Sequence, residues 1–287
     1  MVKPISNILV PVDFSENTEV AISKALEFCP AAITKCTIHL YHVQRIVLHG
    51  YSYLLTKTLA GYTQQQVNDD IKKSQDLLEQ LKINIQKERD INVLCWVSFG
   101  ETVQEGIIKK AKQLSVDLIV IGKHSHHTVL PFLNTVIPSK LALCSRVPVL
   151  TAKPGSFHQE IKTIVVPVGN NFPEAKLEIL SMLAMRSRPN IRLVIFDEKG
   201  LEQPRTKQLL LYTFRAFKSR FTNPIYYDTL EGGNKARSLL AYCNKIGADV
   251  LIVYPEIETK VDNWTNVNIS DLLPAHSKTQ ILAVTPW

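Results

Sequence analysis

No apolar run in this 287-residue chain approaches the roughly 20 residues needed to cross a bilayer. A membrane-spanning helix is therefore not expected. The opening residues, Met1-Val2-Lys3-Pro4, lack the apolar stretch and small-residue cleavage site of a secretory signal, and the expectation is a cytoplasmic protein. Cysteine is scarce: Cys29, Cys36, Cys95, Cys144 and Cys243 make an odd number without a CxxC pair. Most sit in apolar surroundings, where a free thiol acts as a small hydrophobe, so a reducing compartment is the simple reading. Dense basic runs interleaved with aromatics are missing too. The net charge is +7, but the basic residues are scattered, as at Lys72-Lys73, Lys109-Lys110-Lys112 and Arg186/Arg188. That pattern reads as solvated surface and excludes a nucleic-acid face. Absent as well are G-x-S-x-G, H-E-x-x-H and G-x-x-x-x-G-K-[ST], so no catalytic constellation is nominated.

What is present is a globular composition, 45% hydrophobic and 21% charged, and a repeat. Ile8-Leu9-Val10-Pro11-Val12-Asp13 opens the chain, and Ile164-Val165-Val166-Pro167-Val168-Gly169 opens it again. The strand pattern recurs, but the acid at its end does not. Asp117-Leu118-Ile119-Val120-Ile121-Gly122 parallels Asp249-Val250-Leu251-Ile252-Val253-Tyr254, and residues 145–152 parallel 277–284. A repeat this long implies two whole domains rather than a solenoid array. The expected boundaries are 1–153 for the first domain, 154–160 for a Pro- and Gly-punctuated linker, and 161–287 for a shortened second copy.

Within the first copy, the continuous apolar run at 7–12 reads as a strand buried on both faces, and 37–43, 92–98, 117–122 and 147–152 read as the further strands. Between them lie helical spacings: Val20, Ala21, Ala25 and Phe28; Val67, Ile71, Leu78, Leu81 and Ile85; Val103, Ile107, Ala111 and Leu114; and a last helix over 135–144. Strict alternation predicts an α/β fold, two tandem doubly wound domains, each a five-stranded parallel sheet flanked by helices. Residues 45–63, which the second copy lacks, read as an added surface helix or a lid. Asp13 followed by Glu16 has the form of a helix-capping box, so Asp13 reads as a cap, a ligand contact, or both.

Ligands of open parallel sheets collect beyond the carboxyl ends of the strands. Pro11, Val12 and Asp13 end the first strand, His42 and Val43 the second, and Gly122 the fourth. Gly122-Lys123-His124-Ser125-His126-His127-Thr128 then leads to Asn134-Thr135, a glycine, a lysine and hydroxyls ahead of a helix, which suits phosphate. The three histidines share one loop without a nearby Cys, Asp or Glu and read as exposed loop residues, not as a zinc site. His39 and His42 read as packing near a strand end.

Residues 8–15, 116–124 and 147–150, taken in this order and at domain spacing, resemble the universal stress protein family. The resemblance covers nearly all of residues 1–153 and implies an adenine-nucleotide α-hydrolase-like fold with association through the last strand. Many members bind ATP through G-x-x-G-x9-G-[ST]. By that match Asp13 lies near adenine and ribose, Val12 and Val43 flank the base, and Gly122 is the first loop glycine. Ser125 replaces the second glycine. Counted without a gap, Thr135 and Val136 fall on the final pair; with one residue deleted, Asn134 and Thr135 do, so the third glycine is missing either way. In the second copy Gly169 replaces the acid and Tyr254-Pro255 the glycine, so no site is expected there.

Two readings of function stay open. The first is a stress-response regulatory protein with an ATP or related adenine-nucleotide site, with magnesium alongside, in the first copy only. It uses Pro11, Val12, Asp13, Val43, Gly122, Lys123, Ser125, Asn134 and Thr135. The second is a ligand-free interaction or scaffold module. Neither is an enzyme, slow ATP hydrolysis aside. In both, the copies pair as an intramolecular pseudo-dimer through residues 147–150 and 281–284. A homo-oligomer and a protein partner are further expectations.

Overall fold

The computed structural model describes residues 4–29, 36–44, 64–99, 102–123, 136–157, 159–184, 188–197, 204–231, 234–255, 258, 269–274 and 276–286. The segment at 45–63, the loop histidines, Ser125, Asn134 and Thr135 lie outside the described residues.

Strand and helix alternate as the apolar runs predict. The first half runs β1 (Asn7–Pro11), α1 (Glu16–Phe28), β2 (Thr37–Gln44), α2 (Gln64–Glu88), β3 (Asn92–Phe99), α3 (Val103–Gln113), β4 (Leu118–Gly122), α4 (Pro138–Ser145) and β5 (Val149–Ala152). A single 3-10 turn at Pro154–Ser156 follows. The second half runs β6 (Thr163–Pro167), α5 (Glu174–Ala184), β7 (Asn190–Asp197), α6 (Pro204–Arg220), β8 (Ile225–Glu231), α7 (Lys235–Ile246), β9 (Val250–Val253), α8 (Ile269–Leu272) and β10 (Gln280–Ala283).

The two five-stranded units are fused into one sheet of order β3-β2-β1-β4-β5-β10-β9-β6-β7-β8. Every neighbouring pair is parallel except β5 with β10, where Val149, Leu150 and Thr151 face Ala283, Leu282 and Ile281 antiparallel. That junction is the intramolecular pseudo-dimer, made by the last strand of each half. β5 begins at Val149, two residues later than the apolar run suggests, because Arg146 caps α4 in the left-handed region and Pro148 cannot donate to the ladder. α4 likewise begins at Pro138 and not near Thr135, since proline at the first helical position fits a fixed φ and needs no N–H partner.

Alternation along each strand sends side chains to two layers. Ile8, Val10, Ile38 and Leu40 pack under α1 and α2, and the same apolar layer continues through Leu150 and Leu282 to α5 and α6. Leu9, Tyr41 and Val43 pack on the opposite face under α3 and α4, a layer continuing through Val149 and Ile281 to α7 and α8. Both cores thus cross the β5–β10 junction without a break. A repeated acid fixes each first strand. Asp117 Oδ2 accepts from the N–H of Ser6 and of Asn7, each at 2.9 Å, and Asp249 Oδ2 accepts from Lys162 N–H at 2.9 Å and Thr163 N–H at 2.8 Å. Charge-assisted bonds to backbone donors at a strand start are strong, which explains why this acid recurs while Asp13 does not.

The cysteines require a correction. Cys29, the residue that ends α1, and Cys36, just before β2, form a disulfide with Cα atoms 5.5 Å apart. The helix end and the strand start sit side by side and bring both sulfurs into bonding range. Cys95, Cys144 and Cys243 are free. The pairing removes the cysteine argument for a reducing compartment. Among the described residues no helix is long and apolar enough to cross a membrane.

Candidate functional site

β1 ends at Pro11 and carries one more sheet bond, from Val12 N–H to Tyr41 O at 2.8 Å. Val12 is buried in the α1/α2 layer. The chain then turns sharply, with Phe14 in the left-handed region at φ 58°. That turn makes Ser15, not Asp13, the N-cap of α1: its hydroxyl accepts from Asn17 N–H at 3.2 Å. The expected Asp13–Glu16 capping box is therefore replaced by a cap two residues further along. Asp13 organises it from outside. Its Oδ1 accepts from Ser15 Oγ at 2.6 Å, Ser15 N–H at 3.1 Å and Thr18 Oγ1 at 2.9 Å. Burial alone would raise the Asp13 carboxyl, but these bonds, led by the one from the Ser15 hydroxyl, outweigh it and hold the group below its usual value. Oδ2 has no partner among the described residues.

His42 reaches this corner and Val43 does not. His42 Nδ1 donates to Val12 O at 2.8 Å, and its ring lies 4.7 Å from that of Phe14. Its Nε2 stands 3.3 Å from Gln44 Oε1, which also accepts from Ser74 Oγ at 2.8 Å. Val43, one residue on, points into the α3/α4 layer. Val12 and Val43 thus belong to opposite faces of the sheet. Sequence reasoning missed the Phe14–His42 pair, whose signal is only a histidine of the right parity on β2.

Gly122 ends β4 in register with Ala152, and Lys123 N–H donates to Ala152 O at 3.0 Å. A Cβ on Gly122 would stand 1.9 Å from the backbone oxygen of Asn17 in α1. The missing side chain therefore lets the first turn of α1 lie against the end of β4. Asn17 Oδ1, in that same turn, is buried without a hydrogen-bond partner among the described residues. The corner holds two unfilled acceptors, Asp13 Oδ2 and Asn17 Oδ1. Among the described residues, no group of three His, Cys, Asp or Glu could hold a metal ion.

His39 lies inside the sheet, not at its end. Its Nδ1 accepts from Trp96 Nε1 at 3.3 Å, and its Nε2 is buried without a partner among the described residues. Burial, and then the nearby Lys110 charge, lower its pKa below the ordinary histidine value. Above about pH 6.5 the ring is neutral in folded and unfolded chain alike. As the pH falls below that, the unfolded chain takes up a proton that the fold resists, and stability is lost until the folded pKa is passed. His39→Asn keeps an acceptor for Trp96 and removes the titration. Urea unfolding should show wild type losing more stability than the variant between pH 7 and 5; parallel pH curves would contradict the buried neutral ring.

The second half departs at each equivalent position. Val168 N–H donates to Val194 O at 2.7 Å, as Val12 does to Tyr41, but the next residue is Gly169, around which a Cβ would meet nothing within 4 Å. Val250 pairs Ile164 as Leu118 pairs Ile8, which puts Tyr254 where the first half has Gly122. Lys176 of α5, wholly buried, fills the corner. Its Nζ donates to Pro167 O at 2.8 Å and to both Glu258 oxygens at 2.8 and 2.7 Å, and lies 4.3 Å from the Tyr254 ring centre. Burial pushes the Tyr254 hydroxyl up to about 12, with the Glu258 charge adding to it. Burial also draws the Lys176 ammonium down, against the pull of Glu258. Neither partner was singled out from sequence; a lone lysine among Ala175, Leu177 and Ile179 on a buried helix face was the available signal.

Residues 4–153, more than half of the chain, match the model of the universal stress protein family. The chain belongs to that family. A universal stress protein from Archaeoglobus fulgidus shares its fold at 13% identity, covering 97% of this chain and 96% of that one, with a TM-score of 0.68. A protein of unknown function from Pseudomonas aeruginosa does so at 17% identity, covering 98% and 93%, with a TM-score of 0.60. The cytoplasmic domain of a prokaryotic cation chloride cotransporter covers 97% and 95% at 12% identity and a TM-score of 0.52. No curated protein sequence matches the chain significantly. The full-length overlaps show that the whole double unit, not only its first half, has the architecture of this universal stress protein and its structural neighbours.

Proposed function

We propose that this universal stress protein is a stress-response regulator that takes ATP or a related adenine nucleotide in its first half only. The observation that carries the reading is the corner at the carboxyl ends of β1 and β4. There an ionised Asp13 keeps one oxygen free and Asn17 Oδ1 has no partner among the described residues. The exposed Asp13 oxygen suits ribose hydroxyls or an adenine amino group, with the buried Asn17 Oδ1 in the helix turn behind it. Gly122 and Lys123 begin the loop that, with Ser125, Asn134 and Thr135, would hold the phosphates; magnesium would arrive with them. Pro11, Val12 and Val43 complete the site in this reading, at the carboxyl ends of β1 and β2. No catalytic residue is assigned, and the cytoplasm is the placement proposed.

The second reading, a ligand-free scaffold, is favoured by one specific fact: packing against α1 already accounts for the glycine at 122. In either case self-association would need a surface other than the last strands, since β5 and β10 are already paired with each other. Calorimetry with ATP, ADP and AMP, with and without magnesium, separates the readings. Binding to wild type is expected, weakened at least about tenfold by Asp13→Asn, which keeps an acceptor for the cap but removes the charge. Gly169→Ala should leave affinity unchanged. No heat at millimolar nucleotide would leave only the scaffold, and equal effects of the two substitutions would contradict a single site.

A further inference from the structure

The acid missing after the first strand of the second half reappears elsewhere. Thr18 and Lys176 are each the third residue of their helices, α1 and α5. Thr18 donates to Asp13, an acid supplied by the loop after β1. Lys176 donates to Glu258, an acid supplied from beyond β9. The two halves thus present a carboxylate to the same turn of the same helix from different stretches of chain.

The groups around Glu258 form a complete receptor for an oxyanion. Lys176 Nζ donates to both carboxylate oxygens, and Tyr254 N–H donates to Oε2 at 2.8 Å. A cation with a backbone N–H is the donor set that proteins offer to carboxylate or phosphate. The ammonium is aimed by its remaining bond to Pro167 O and by the Tyr254 ring beneath it. The two donors sit on α5 and the residue after β9, and the acceptor that aims the ammonium sits at the end of β6, so none of them depends on Glu258 for its place. The receptor also lies beyond the carboxyl ends of β6 and β9, where this architecture collects ligands.

We propose that the second half contains an oxyanion pocket that the chain fills from within. Glu258 stands as a tethered ligand where the carboxylate or phosphate of a small molecule would sit between Lys176 and the Tyr254 N–H. The second half is thereby held in a liganded arrangement without a ligand, and it takes a free anion only when the Glu258 carboxylate is withdrawn.

Thermal unfolding of full-length Glu258→Gly in chloride, formate or inorganic phosphate at fixed ionic strength tests this. The variant in chloride should melt about 10 °C below wild type, as expected when a buried charge loses its partner. Formate or phosphate at 100 mM should restore at least half of that loss. Rescue by formate alone assigns a carboxylate-sized pocket; rescue by phosphate as well assigns a general oxyanion pocket. Wild type should gain nothing from formate, and Lys176→Met/Glu258→Gly should not be rescued. Equal melting in all three anions, or rescue that survives loss of Lys176, would overturn the proposal. Where Glu258→Gly does not fold in chloride, the yield on refolding into formate replaces the melting temperature, and equal yields would overturn it as well.

Discussion

Gly122→Ala is expected to destabilise the protein by about 3 kcal/mol, the upper part of the range for overpacking a close contact. A Cβ there would sit 1.9 Å from Asn17 O, more than an ångström inside contact distance. The atom struck belongs to the backbone, so no rotamer change relieves it and either α1 or the end of β4 must move. That movement also disturbs the Ser15 cap and Asp13, because Ser15 caps the first turn of α1 and Asp13 is hydrogen-bonded to Ser15 and Thr18. Any nucleotide affinity should therefore fall together with stability, although Gly122 itself need not touch the ligand. Gly169→Ala serves as the control: nothing lies within 4 Å of its Cβ, and a change within about 0.5 kcal/mol is expected. Urea unfolding of the two variants reads the difference. A Gly122→Ala protein within 1 kcal/mol of wild type would mean that α1 does not lie against β4 as described.

How much of this corner was legible in the sequence depends on range. The strands were, because a strand buried on both faces is a continuous apolar run, and Ile8 to Val10 or Leu118 to Val120 permit little else. The duplicated acids Asp117 and Asp249 were visible as a pair, though not their purpose, which needs the start of β1 or β6 beside them. Side-chain direction was harder. Val43, carried by the family resemblance, packs in the α3/α4 layer, while His42, one residue earlier on β2, faces the corner, because one residue reverses the face. The cap moved from Asp13 to Ser15 for a related reason: the left-handed Phe14 resets the helix start, and no propensity marks a phenylalanine for that conformation. The Cys29–Cys36 disulfide and the Lys176–Glu258 pair are out of reach of pattern reading altogether. Each joins residues that only the finished fold brings together, Lys176 and Glu258 being 82 positions apart.

Lys176→Met should be the most damaging single substitution of a charged residue, at about 3–5 kcal/mol near neutral pH. The side chain is wholly buried and Glu258 is 4% exposed, so the variant leaves a carboxylate out of water without its cation. The Tyr254 N–H remains, but one backbone donor does not replace an ammonium that contacted both oxygens. Lys176→Met/Glu258→Leu removes both charges and should return close to wild type, since apolar replacement of a buried pair is often neutral or better. A double-mutant cycle by urea unfolding near neutral pH measures the coupling. A small loss in Lys176→Met would show that the corner is open to water and its charges individually solvated. The large loss expected here would place the stability of the second half in an internal charge pair, at the helix turn that meets Asp13 in the first half.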